Sequence, residues 1–134
     1  MHIKFDSDTL SLITLFSNST GVIPKDCINL GDKVIFTVPM GEAAISIGRN
    51  GETVKLIQKL IGKDITIVEY SDDPVKFLEN ILKPIKLVSG YIAIDSNKQK
   101  TLEATTASNL NGKKIKLIKF LMERYFNISN INIK

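Results

Sequence analysis

Ala44-Ile45-Ser46-Ile47-Gly48-Arg49-Asn50-Gly51-Glu52 is the stretch on which the reading of this chain turns. Two glycines bracket a basic residue and an amide, with apolar residues before them and an amphipathic run after. Residues 40–47 read as a short helix. A second helix is expected over 52–61, with Val54, Ile57, Leu60 and Ile61 facing inward and Lys55 and Lys59 one turn apart on another face. Without a Cβ, Gly48 and Gly51 let the chain turn sharply and let a phosphodiester approach the main chain. The helix beginning at Glu52 would aim its free N–H groups and the positive end of its dipole at the loop. Arg49 can grip a phosphate with two hydrogen bonds, and Asn50 offers a neutral donor and acceptor. Bases would then lie along an apolar groove beside Ile45, Ile47 and Val54.

A bare G-x-x-G is common by accident, so the flanks have to give it meaning. Upstream, Asp6 or Ser7 can cap a helix with Leu10, Ile13, Leu15 and Phe16 largely on one face, stopped at Gly21 and followed by Pro24. Two strands are expected at 27–30 and 33–38, the second β-branched and continuous enough to be central. Downstream, Gly62 closes the second helix and 65–68 forms a third strand. The order is α-β-β-α-α-β, the setting in which a GxxG loop clamps a nucleic-acid backbone.

The rest of the chain repeats this order. Ser71-Asp72-Asp73-Pro74 is a turn with a capping Asp and a Pro at a first helical position. The next helix is expected over 75–83, strands at 85–88 and 91–95 around Ser89-Gly90, a short helix over 99–107, a longer one over 112–125 and a last strand at 128–133. Glu42-Ala43 matches Glu103-Ala104, Asn50-Gly51 matches Asn111-Gly112, and Val54-Lys55-Leu56-Ile57 matches Ile115-Lys116-Leu117-Ile118, all at one constant offset. Two copies of one module are therefore expected, 1–71 and 72–134.

Composition narrows the function. With 43% hydrophobic and 24% charged residues the chain is a globular protein, and its charge of +4 with a pI near 9.2 permits a nucleic-acid partner without proving one. A Walker A loop is excluded because Glu52-Thr53 follows Gly51 where Lys-Ser/Thr would be needed. A dinucleotide fingerprint is excluded because only two glycines are present and they follow a helix. No nucleophile–base pair or carboxylate dyad stands out, and His2 and Cys27 are the only residues of their kinds, so neither an enzyme, nor a metal site, nor any cofactor is expected. Cys27 reads as a buried thiol. No signal peptide or membrane span is apparent, which points to the cytoplasm.

The element order and Ile47-Gly48-Arg49-Asn50-Gly51 resemble a type II KH domain. Together with Gly21-Val22, Lys25-Asp26-Cys27 and Val68-Glu69-Tyr70-Ser71-Asp72-Asp73-Pro74, the whole chain is similar to archaeal NusA-like proteins. The resemblance implies an α/β (α+β) fold of two tandem type II KH domains, each α-β-β-α-α-β with a three-stranded sheet and helices on one face. It implies single-stranded RNA as partner, during transcription pausing, termination or antitermination, and a monomer. RNA polymerase is a second expected partner, with a polymerase-docked scaffold or a role in ribosome assembly as alternative functions. The second copy departs from the pattern. In Ser108-Asn109-Leu110-Asn111-Gly112 the first glycine is Asn109 and the basic tip is Leu110, although Lys113, Lys114 and Lys116 follow. The expected RNA contacts are Ile47, Gly48, Arg49, Asn50, Gly51, Lys55 and Lys59 in the first copy. In the second, which should bind more weakly or by a shifted surface, they are Asn109, Asn111, Gly112, Lys113 and Lys116.

Overall fold

The computed structural model of the chain describes residues 6–134. These fall into two compact units, the first ending at Ser71 and the second covering Asp72–Lys134.

In the first unit, helix α1 (Ser7–Thr20) starts at Asp6, whose carboxylate accepts the Thr9 N–H at 2.7 Å. It ends at Gly21, left-handed at φ 76°, whose N–H donates to the Ser17 carbonyl at 2.9 Å. Strands β1 (Asp26–Asn29), β2 (Lys33–Val38) and β3 (Asp64–Glu69) form one sheet in that order. β1 and β2 are antiparallel, with Cys27 opposite Phe36. β2 and β3 are parallel, with Phe36 opposite Ile67. A parallel pair cannot be closed by a tight turn, so the chain must cross over the sheet between them. It does so through α2 (Ala43–Ile47), a single 3-10 turn at Arg49–Gly51 and α3 (Glu52–Ile61). α2 packs on both α3 and β3.

The core joins Phe16 of α1, Cys27, Val34, Phe36 and Val38 of the sheet, and Ile57 of α3. The Phe16 and Phe36 rings stack with centroids 4.2 Å apart. Burial pushes the Cys27 thiol up to about 12, so it stays neutral and acts as a small apolar core residue. Leu60, expected inside, is 57% exposed. On the helix circumference Ile57, Ile61 and Val54 share an arc of about 60°, and Leu60 falls outside it.

In the second unit, α4 (Pro74–Leu82) is capped by Asp73, whose carboxylate accepts the Val75 N–H at 3.0 Å. β4 (Leu87–Ile94) and β5 (Lys100–Thr106) form an antiparallel hairpin, and β5 pairs in parallel with β6 (Asn130–Ile133). α5 (Gly112–Phe126) makes the crossover. Two sequence expectations fail here. Residues 99–107, expected as a short helix, are mostly strand β5: Lys100-Thr101-Leu102-Glu103-Ala104-Thr105-Thr106 is rich in β-branched Thr and buries alternate residues, Leu102 and Ala104. The expected strands at 85–88 and 91–95 are one continuous strand, for Ser89-Gly90 lies inside β4. The actual turn is at Asp95-Ser96-Asn97-Lys98, where the Asp95 carboxylate accepts the N–H groups of Asn97 at 2.9 Å and Gln99 at 2.8 Å. The second unit therefore runs α-β-β-α-β, with one helix in its crossover where two were expected. The match of Glu42-Ala43 to Glu103-Ala104 sets the entry to a helix against the middle of a strand.

Ile57→Ala should lower unfolding free energy by about 2–5 kcal/mol, whereas Leu60→Ala on the same helix should stay within about 0.5 kcal/mol of the parent. Urea denaturation of both variants checks the assignment, and equal losses would contradict it.

Candidate nucleic-acid interface

The glycine loop joins α2 to α3 with almost no chain between them, only Gly48 and the 3-10 turn Arg49–Gly51. α2 ends as the Gly48 N–H donates to the Ala44 carbonyl at 3.0 Å, and the Gly51 N–H then donates back to the Gly48 carbonyl at 3.1 Å. Gly48 lies at φ 79°, ψ 170°, a region open essentially to glycine alone. A Cβ built on it would run into Thr53, including the Thr53 backbone N at 2.9 Å. Asn50 (φ 56°, ψ 26°) and Gly51 (φ 72°, ψ 16°) are both left-handed, a conformation Asn adopts more readily than most residues. A Cβ on Gly51 would meet nothing within 4 Å. The two glycines thus have different duties: Gly48 makes room for the first turn of α3, and Gly51 leaves open space in front of it.

That space faces an uncapped helix end. α1, α4 and α5 each begin with a side chain accepting a first-turn N–H, from Asp6, Asp73 and Asn111. α3 begins at Gly51, which has no side chain to do this. The Glu52 N–H donates to the Arg49 carbonyl, but no side chain caps the start of α3, so the positive end of its dipole is left toward the loop, where an anion is favoured. Arg49 and Asn50 are exposed at the tip, and Lys55 is exposed one turn into α3. Ile45 (59% exposed) and Ile47 (39%) lie on opposite flanks of α2 on either side of Ser46, which is fully buried and donates its hydroxyl to the Glu42 carbonyl at 2.8 Å. Ile47, Gly48, Arg49, Asn50, Gly51 and Lys55 are therefore brought together. Lys59 is not: it sits in the last turn of α3, about 10 Å from the start of the helix, in a cleft with Asp32, Lys63 and Asp64. Thr53, which packs on Gly48, carries no mark in the sequence that singles it out.

The corresponding segment of the second unit is built differently. With no helix before it, residues 107–111 leave β5 as an irregular connection. Asn111, the sequence match of Asn50, has extended backbone (φ −78°, ψ 166°) and turns its side chain onto α5, accepting the Lys114 N–H at 2.8 Å. Gly112 is already inside the helix. The α5 N-terminus is thus closed by Asn111. Asn109, Asn111 and Gly112 do not form a glycine-type clamp, and Lys113 and Lys116 project from the exposed side of α5.

No protein-family profile matches the chain. Among curated proteins it is 37% identical over 92 residues to the probable transcription termination protein NusA of Methanococcus vannielii, covering 69% of this chain and 53% of that one. The Methanocaldococcus jannaschii protein of the same name is 35% identical over 85 residues, 46% of its length, so the chain spans about half of these two relatives. With the Halococcus morrhuae protein of that name, 28% identity extends over 99% of both chains. Among solved structures, the crystal structure of APE1850 superposes with a TM-score of 0.80 at 26% identity, over 97% of this chain and 100% of that one. The chain is an archaeal NusA-like protein. Among the described residues no helix is long and apolar enough to cross a membrane.

Gly48→Ala should destabilise the protein by about 1–3 kcal/mol through its backbone region alone, more if Thr53 cannot yield. Gly51→Asn should cost less than about 1 kcal/mol, since Asn tolerates the left-handed region. Thermal unfolding of the two variants distinguishes the duties of the glycines, and a reversed order would contradict this geometry.

Proposed function

We propose that the chain is an RNA-binding transcription factor of NusA type, in which the first unit is a KH domain whose GxxG loop clamps the backbone of single-stranded nascent RNA. The second unit is a KH domain with a degenerate loop. The observation that carries this reading is the open N-terminus of α3, which among the long helices described is the one begun by a glycine instead of a capping side chain. A phosphate placed over Gly51 meets the uncapped, positive end of the α3 dipole and lies beside Arg49, while the exposed side chain of Ile47 next to the loop offers an apolar contact for a base. The names of the archaeal relatives support a role in transcription termination. RNA polymerase is the natural second partner of such a factor, which would act in the cytoplasm as a monomer, and nothing in the site calls for a cofactor.

Gly51→Asp puts a carboxylate in the path of the phosphate at a position with room for it. It should lower affinity for short single-stranded RNA at least about tenfold, the order expected when a charge-assisted hydrogen bond is removed, and leave the circular dichroism spectrum unchanged. Binding equal to the parent would overturn the loop assignment. Because phosphate contacts release counterions, affinity of the parent should also fall steeply with added salt.

A further inference from the structure

Positive charge and the glycine loop lie in different units. Residues 72–134 carry eleven basic and six acidic side chains, a net +5, and residues 1–71 carry seven and eight, a net −1, so the positive charge resides in the second unit. Much of it is on α5, which presents Lys113, Lys116 and Lys119 on its exposed side while Leu117, Ile118, Leu121 and Met122 form the buried side. None of these three lysines makes an ion pair among the described residues. Phe120 stands among them, 41% exposed. Lys113, Lys116 and Phe120 fall within about 60° of the helix circumference, three and four residues apart, and so are surface neighbours.

This arrangement works against the helix that carries it. The first turn of α5 contains no acidic residue, and a cation there opposes the helix dipole. Lysines three residues apart repel one another. The Phe120 ring also leaves 41% of its surface in solvent among unpaired cations. All three costs are relieved by a polyanion that also offers flat apolar faces, which is the chemistry of single-stranded RNA.

We propose that the exposed face of α5 is a second RNA-binding surface that uses no glycine loop. Phosphates lie against Lys113, Lys116 and Lys119, and an unpaired base stacks on Phe120. Lys113 to Phe120 spans about 10 Å of helix, so the face holds a short single-stranded segment. It does so with little regard to sequence, because every base has a face to stack. The proposal rests on the reading of the chain as an RNA-binding protein.

The test is binding of a short oligouridylate to the full chain, followed by fluorescence anisotropy over a salt series. Phe120→Leu keeps apolar bulk but removes the ring, and should weaken binding about tenfold, with Phe120→Tyr restoring it. Lys113→Gln, Lys116→Gln and Lys119→Gln together should flatten the slope of log affinity against log salt by about 0.7 for each phosphate no longer neutralised. Circular dichroism confirms that each variant is folded. If Gly51→Asp weakens binding while the α5 variants change neither affinity nor slope, the α5 proposal is overturned and the loop reading stands. The face would then suit an acidic protein surface instead. If the parent chain does not bind oligouridylate at any salt concentration, both readings fall.

Discussion

Both units contain a parallel pair of strands, and that pairing is the constraint from which the rest follows. Parallel neighbours must be joined by a crossover that leaves one end of the sheet and returns to the other. In the first unit the crossover between β2 and β3 is made of two helices, and a sharp joint is needed to keep both on the same face. Gly48 supplies the joint, and its closeness to Thr53 is what lets α3 start at once. The feature that solves a folding problem therefore also leaves the start of α3 uncapped.

The second unit solves the same problem with one helix. A longer β5 and a single crossover helix of fifteen residues replace the two-helix joint. Once no second helix has to be turned, no glycine is needed at the bend, and the helix end can be sealed by Asn111 in the ordinary way. Loss of the loop and loss of the short helix are one structural change, and a charged helix surface remains where a clamp would have been.

Most of the first unit was legible because its signals are local and agree. Asp6 and Gly21 bound α1, β2 is a run of buried β-branched and aromatic residues, and Gly48 and Gly51 bracket the joint. Leu60 was misplaced because an apolar residue near the edge of a helical stripe looks the same whether it is inside or outside. In the second unit the helix expected over 99–107 falls on a segment whose threonines and two-residue alternation favour a strand, so the constant offset is sound through α3 and α5 but not at Glu103-Ala104. Ser89-Gly90 looked like a turn, yet Gly90 is a strand residue whose missing side chain accommodates Val75 and Leu87, as a Cβ there would lie 3.2–3.3 Å from both. Asn50 and Asn111 show the limit of residue matching most plainly. They are identical and aligned, but one is left-handed at a loop tip and the other is a helix cap, because what precedes each of them differs.

The central claim is that RNA is gripped by the loop of the first unit and not by the aligned loop of the second. Photo-crosslinking of a 4-thiouridine-containing single-stranded RNA to the full chain, with the modified peptides located by mass spectrometry, addresses it most directly. The account predicts crosslinks within residues 45–55 and none within residues 107–111. Crosslinks at 107–111 with none at 45–55 would contradict it.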